Sequence, residues 1–122
     1  IYTAAAAVEA AGGQALPLVC DIRDEAQVAD TVAKAVERFG GIDIVVNNAS
    51  AIGITGTAQT SMKRYDLMNQ IDARGTFVTT QACLPYLKKA ANPHIRPCLR
   101  RCPRWSHAGS RHPWPIVWPS SA

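Results

Sequence analysis

No acidic side chain follows Asp72, although the chain continues to residue 122. Five of the 13 basic residues lie after Ile95, so residues 1–95 hold eight basic and nine acidic side chains. The formal net charge of +4 therefore belongs to the C-terminal tail, and the rest of the chain is nearly neutral. A nearly neutral body gives no indication of a nucleic-acid partner.

Long apolar runs and a signal peptide are also missing. No segment stays apolar over the length needed to cross a membrane, and no leader pattern is visible, so we expect a cytoplasmic protein without a membrane partner. Four cysteines, at positions 20, 83, 98 and 102, are not expected to form a disulfide framework in an α/β chain of this kind. The first residue is Ile1 rather than Met, which suggests that residues precede it.

The first part of the chain predicts a helix and a strand. Residues 2–11 are rich in alanine and end at Gly12-Gly13, which predicts a helix with a glycine stop. Residues 14–20 form a short apolar run that predicts a strand. Pro17 lies inside that run and favours an edge or irregular strand, because proline has no N–H to donate.

A second helix is predicted to begin after Asp24. Asp24 is a good N-cap residue, and Gln27 lies three positions later, as in a capping box. Apolar residues recur at helical spacing and predict one buried stripe, formed by Val28, Val32, Val36 and Phe39. Gly40 then predicts the end of this helix.

The next two elements complete a layered α/β pattern. A short β-branched apolar run predicts a strand buried on both faces, formed by Ile42, Ile44, Val45 and Val46. Residues 60–87 predict one long helix, with Gly75 inside it at a cost of about 1 kcal/mol relative to alanine. We expect a packing reason for that glycine. Alternation of helices and strands predicts a doubly wound α/β fold.

Two asparagines, Asn47 and Asn48, follow the strand. In open α/β sheets, ligands bind at the carboxyl ends of strands, and asparagine offers both a donor and an acceptor. An asparagine turn that merely ends the strand is the structural alternative. These residues alone leave both interpretations open.

The string Asn47-Asn48-Ala49-Ser50 resembles the Asn-Asn-Ala-Gly signature of the short-chain dehydrogenase/reductase family. Its serine form, with Ala51-Ile52 following, resembles a hydroxysteroid dehydrogenase-like branch of that family. The resemblance covers residues 1–95. It implies a partial Rossmann fold, a doubly wound parallel sheet in three layers, in which residues 1–95 are the central part of an NAD(P)-binding domain.

The resemblance also implies a role for several residues. Asp21, just past the predicted strand, would accept a hydrogen bond from the adenine amine, and Ile22 would supply an apolar face. Asn48, Ala49 and Ser50 would line the cofactor cleft. The bound cofactor would be NAD or NADP in the intact parent, beside a small-molecule substrate. For Asp21, the structural alternative is a carboxylate that favours a helix entrance.

The family's catalytic residues are incomplete in this chain. Asp72 occupies the position of the family's asparagine, and an ionised aspartate cannot donate a hydrogen bond, which puts the proton relay in doubt. The catalytic Ser and the Tyr-x-x-x-Lys pair do not follow Ile95, and the Thr-Gly-x-x-x-Gly-x-Gly phosphate turn is absent. We therefore expect weak cofactor binding or none, and no turnover, in this chain.

The tail, residues 96–122, is a different kind of sequence. It holds five of the eight prolines and all three tryptophans, shows no helical or alternating period, and is expected to be irregular. Cysteines 98 and 102 with histidines 107 and 112 have the ligand types of a zinc site but not its spacing, so no metal site is predicted.

A shifted reading frame explains the tail better. Suppose that each shifted codon consists of the third base of one codon and the first two bases of the next. The codons of Ile116 to Ser120 then permit the sequence Tyr-Ser-Met-Ala-Lys. The same frame permits Leu-Ser-Pro-Pro-Leu over Cys98 to Cys102. These strings resemble the family's Tyr and Lys pair and its strand with the catalytic Ser, in the right order.

Two other functions stay open. The helix predicted over residues 60–87 resembles the family's dimer-forming helix, so the chain could be a non-catalytic module that forms a homo-oligomer or binds a partner. Alternatively, the arginines and tryptophans of residues 96–122 could bind nucleic acid on a structural body. Salt-dependent retention on DNA or RNA, lost on removal of the tail, would identify that second function.

Overall fold

A computed structural model describes residues 1–97 of the chain. The elements are the helices α1 (Tyr2–Ala10), α2 (Glu25–Phe39), α3 (Met62–Asn69) and α4 (Thr76–Leu87), the strands β1 (Ile44–Asn47) and β2 (His94–Pro97), a 3₁₀ turn (Thr57–Gln59) and a π-turn (Gln70–Gly75). The two strands pair in parallel, with Ile44 opposite His94 and Val45 opposite Ile95. Helix α4 forms part of the crossover between them, as parallel strands require.

Helix α2 begins and ends at the predicted residues. The Asp24 side chain accepts hydrogen bonds from the amides of Ala26 at 2.9 Å and Gln27 at 3.3 Å. At the other end, Gly40 has a φ of 83°, and its N–H donates to the carbonyl of Val36. The Gln27 side chain departs from a capping box, because its Oε1 accepts from the amide of Asp21 at 3.0 Å instead of from Asp24.

The described core lies where α2, α4 and β1 meet. Its six buried side chains are Val28, Val32, Val45, Val78, Cys83 and Leu87. Val36 packs against this cluster, as the predicted stripe requires. Phe39 does not belong to it, because its side chain is 46% exposed, and the guanidinium of Arg38 lies 5.5 Å from its ring centroid instead.

Strand β1 is buried on one face, so the prediction of burial on both faces is wrong for residues 1–97. Val45 is 7% exposed, whereas Ile44 and Val46 are each 58% exposed. Successive side chains of a strand point to opposite faces of the sheet. Helix α4 covers the face of Val45, and within the described part of the chain no helix covers the other face.

The predicted strand over residues 14–20 does not form within residues 1–97. A strand needs a ladder of hydrogen bonds to a neighbour, and the described sheet contains only β1 and β2. Pro17 has no N–H to contribute, and Val19 is 84% exposed. Strand β2, in contrast, was not predicted, and the expected boundary after Ile95 falls inside it. The remaining tail lies outside the described residues.

The predicted long helix is interrupted. Helix α3 starts at Met62 behind an N-cap at Ser61, whose hydroxyl accepts from the amide of Arg64, and six π-helical residues separate α3 from α4. π-turns of this kind occur frequently at functional sites. Gly75 ends the turn and is buried. A Cβ added there would lie 2.5 Å from Cδ1 and 2.8 Å from Cγ1 of Ile22, which is the packing reason expected for this glycine.

Gly75→Ala should therefore destabilise the fold by about 1–3 kcal/mol, the usual cost of overpacking. In an Ile22→Ala background the clash is removed, and the same change should instead stabilise by up to about 1 kcal/mol, because alanine favours a helix over glycine. Urea unfolding of the four chains of this double-mutant cycle measures the difference. Equal effects of Gly75→Ala in both backgrounds would show that Ile22 does not set the need for glycine.

Candidate functional site

A cleft of about 570 Å³ lies between two walls. One wall is formed by residues 19–23, which include Asp21, Ile22 and Arg23. The second wall includes Ala49 and Ser50 after β1, and Leu67 and Ile71 complete the lining. The cleft thus brings together four of the five residues predicted to contact a cofactor. Asn48 is exposed beside them along the chain but is not among the residues that line the cleft.

Asp21 is held by the guanidinium of Arg23. Nε of Arg23 donates to Oδ1 at 2.9 Å, Nη2 donates to Oδ2 at 2.5 Å, and the backbone N–H of Arg23 donates to Oδ1 at 3.0 Å. The side-chain hydrogen bond from Arg23 and then its backbone N–H lower the pKa of Asp21 to about 2. The carboxylate is therefore ionised at neutral pH and can act only as an acceptor.

Arg23→Gln should raise the pKa of Asp21 from about 2 towards its ordinary value of 3.8. Because the folded-state pKa lies below the unfolded one, the stabilisation by this carboxylate is complete above about pH 4 and is lost as the pH falls towards 2. A carboxyl-carbon NMR titration measures this pKa directly. Lys34→Gln removes a similar pairing with Asp30 on α2 and should leave Asp21 unchanged. A wild-type Asp21 that titrates near 3.8 would contradict this description.

Asp72, the candidate catalytic position, holds the loop after β1. Its Oδ1 accepts a hydrogen bond from the amide of Ala51 at 2.8 Å, which ties the segment that carries Ala49 and Ser50 to the π-turn. An aspartate can perform this role, because it requires only an acceptor. At the end of β1, Nδ2 of Asn47 donates to the hydroxyl of Thr80 at 3.2 Å and joins the strand to α4.

Two arginines of the site were not singled out from the sequence. Arg23 pairs with Asp21. The sequence could have indicated this pair, because a basic residue lies only two positions after the candidate carboxylate. Arg74 connects the π-turn to residues 23–25 across 49–51 positions of sequence. No local pattern could have indicated that second contact.

Neither a metal site nor a membrane span is found among residues 1–97. No three histidine, cysteine or acidic side chains cluster closely enough there to hold a metal ion. In the same residues, no helix has both the length and the apolar character needed to cross a bilayer. Cys98, Cys102, His107 and His112, which were considered as zinc ligands, lie outside the described residues.

Comparison with known proteins gives a family and named relatives. The family model described as short chain dehydrogenase matches residues 1–95. The chain is 59% identical over 108 residues to hydroxysteroid dehydrogenase-like protein 2 of Danio rerio, with 86% of this chain and 26% of the relative covered. The protein of the same name from Homo sapiens is 53% identical over the same length and coverage. The chain thus spans about a quarter of these relatives.

Solved structures agree with the fold. A short chain dehydrogenase from Mycobacterium thermoresistibile is 54% identical, with a TM-score of 0.76 over 85% of this chain and 38% of that one. A short chain dehydrogenase from Burkholderia cenocepacia in complex with NADP is 29% identical, with a TM-score of 0.66 over 70% of this chain and 35% of that one. The predicted partial Rossmann α/β fold is confirmed by these likenesses.

Proposed function

This chain belongs to the short-chain dehydrogenase family of oxidoreductases, and on that premise we propose that its cleft is the adenosine half of an NAD(P) site. The observation that supports the proposal is that Asp21, Ile22, Ala49 and Ser50 line one cleft. The first two are separated from the last two by 27 positions or more in the sequence. The fold, and not proximity in the sequence, brings them to one cleft.

The chemistry of the cleft fits an adenosine group. The ionised carboxylate of Asp21 is an acceptor for the exocyclic amine of adenine, and Ile22 offers an apolar surface to a ring. Asn48 is exposed next to the opposite wall and could approach the ribose with an amide group. The relative from Burkholderia cenocepacia was solved with NADP, and either NAD or NADP is compatible with these residues.

In the intact parent, we propose that the bound nicotinamide supplies hydride transfer to or from a hydroxyl or carbonyl substrate. Asp72 would contribute to catalysis only by positioning, since it accepts from the amide of Ala51 and holds the loop beside the cofactor site. Among the 122 residues, no tyrosine follows Tyr86 and no lysine follows Lys89. These residues by themselves therefore supply no Tyr-x-x-x-Lys pair and should not turn over.

The gene sequence over the tail tests the shifted frame. If that frame encodes Tyr-Ser-Met-Ala-Lys, the codon of Pro115 must end in T to give TAT, and the codon of Pro119 must end in A to give AAG. Any other third base at either position removes the Tyr or the Lys and ends the frameshift interpretation. The structure does not describe this part of the chain.

The proposed activity itself is tested on a longer protein. A chain with the frame restored after Ile95 and with an upstream Thr-Gly-x-x-x-Gly-x-Gly turn should oxidise NADH or NADPH in the presence of simple ketones or aldehydes. Tyr→Phe at the restored position should reduce that rate by about 10²–10⁴-fold, the usual contribution of a general acid. A correctly folded restored chain that oxidises neither cofactor would argue against an oxidoreductase.

A second candidate function is self-association through α4. Phe77 is 65% exposed and Leu84 is 39% exposed. They lie two helical turns apart and therefore share one face of α4. Sedimentation velocity should show a dimer that Phe77→Asp converts to a monomer. A chain that stays monomeric at high concentration would remove this candidate.

A further inference from the structure

Both walls of the cleft are tied to the same six residues. Asp72 of the π-turn accepts from the amide of Ala51, the residue that follows Ser50 of one wall. On the other wall, Nη1 of Arg74 donates to the carbonyl of Arg23 at 2.6 Å, and Nη2 of Arg74 pairs with the carboxylate of Glu25. Gly75, at the end of the turn, receives the side chain of Ile22. The π-turn is therefore the common support of the two walls.

The spacing of the two polar residues explains why they reach different walls. Residues two positions apart on a helix do not face each other. Asp72 and Arg74 accordingly extend to opposite sides of the turn. One residue holds residues 48–51, and the other holds residues 21–25.

The contacts of Arg74 fix the position of residues 23–25 and contribute little to the free energy of folding. The Arg74 and Glu25 side chains are 47% and 70% exposed, and exposed ion pairs contribute little to folding. However, a guanidinium donates in a fixed fork, and here the fork spans a backbone carbonyl and the first residue of α2. That arrangement fixes the position of residues 21–24, the turn that contains Asp21.

We propose that Arg74 is a positioning residue for the adenosine cleft, which holds the turn of residues 21–24 so that Asp21 faces Ala49 and Ser50 at the separation that adenine needs. This inference rests on the proposed function of the cleft. It assigns to Arg74 no contact with the ligand. Its effect passes through the carbonyl of Arg23 and the carboxylate of Glu25.

The first measurement is amide hydrogen exchange in the full chain. Three amides report on the turn, because Asp21 donates to Gln27, Arg23 donates to Asp21 Oδ1 and Asp24 donates to the Asp21 carbonyl. Arg74→Gln should speed their exchange by about tenfold through local opening, while the core amides keep their rates. Unchanged exchange at these three amides would overturn the inference.

The second measurement is the affinity for AMP, followed by NMR chemical shifts. Arg74→Gln should weaken AMP binding by about fivefold or more, a loss of about 1 kcal/mol. Arg74→Lys keeps the charge and a single donor nitrogen in place of the fork and should recover part of this loss. It replaces Arg74→Gln if that variant does not fold. Arg38→Gln makes the same charge change on the exposed end of α2 and should match the wild type.

The outcomes separate this inference from the proposed function. If the wild type binds AMP and Arg74→Gln binds it equally well, the positioning role is wrong and the adenosine cleft stands. If the wild type binds no AMP, the assignment of the cleft to adenosine is wrong, and the proposed effect of Arg74 on ligand binding is wrong with it. Hydrogen exchange then decides only whether Arg74 holds the turn.

Discussion

Leu87→Ala is expected to destabilise the fold by about 2–5 kcal/mol, the usual loss for a large-to-small change in a core. Leu87 is 2% exposed and belongs to a described core of only six buried side chains. Small domains have net stabilities near the lower end of about 5–15 kcal/mol. This one change should therefore remove a large share of the free energy of unfolding, which urea unfolding followed by circular dichroism measures.

Leu84→Ala is the matched control for this prediction. Leu84 lies three residues earlier on the same helix and is 39% exposed, so its truncation should cost less than about 1 kcal/mol. Similar losses for the two variants would mean that the cluster around Leu87 is not the core of the folded chain.

The 122-residue chain should bind NAD(H) and NADP(H) only in the millimolar range and should reduce no carbonyl compound. Helix N-termini with glycine-rich turns supply much of the affinity for a pyrophosphate, and the sequence contains no Thr-Gly-x-x-x-Gly-x-Gly turn. Asp21 and Ile22 could hold only the adenosine end. Loss of the general acid alone is worth about 10²–10⁴-fold in rate.

Isothermal titration calorimetry and an absorbance assay at the nicotinamide band measure these two properties. Asp21→Asn should weaken the residual binding further, because the neutral amide is a poorer acceptor than the carboxylate. A micromolar dissociation constant, or measurable oxidation of NADH by the purified chain, would contradict the prediction.

Elements that depend on local chemistry could be predicted from the sequence. Asp24 and Gly40 mark the ends of α2 because a cap needs only its own neighbouring amides and carbonyls. Val28 and Val32 were placed correctly in the core, since helical spacing alone brings them to one face. The need for a small residue at position 75 could also be predicted, but its partner, Ile22, could not.

Features that depend on distant partners could not be predicted. Residues 14–20 have the composition of a strand, yet a strand forms only beside another, and neither β1 nor β2 pairs with them. The exposed Ile44 and Val46 illustrate the same point, because burial of a strand face depends on what packs against it. The π-turn was missed because a helical pattern of apolar residues does not distinguish π from α geometry.

The site was predictable as a set of positions and not as a network. The resemblance to the family indicated Asp21, Ile22, Ala49 and Ser50, which the structure places around one cleft. The pairing of Arg23 with Asp21 and the long-range contacts of Arg74 depend on side-chain geometry.

The most direct test of the account is a pair of NMR titrations of the ¹⁵N-labelled chain, one with AMP and one with nicotinamide mononucleotide. The two ligands are the halves of NAD, and each carries a ribose phosphate, so a response to phosphate alone would be common to both. If the cleft is the adenosine half of the site, AMP shifts the amides of Asp21, Ile22, Asn48, Ala49 and Ser50, and nicotinamide mononucleotide leaves them unchanged. Equal shifts with both ligands, or no shift of these amides with AMP, would contradict the account.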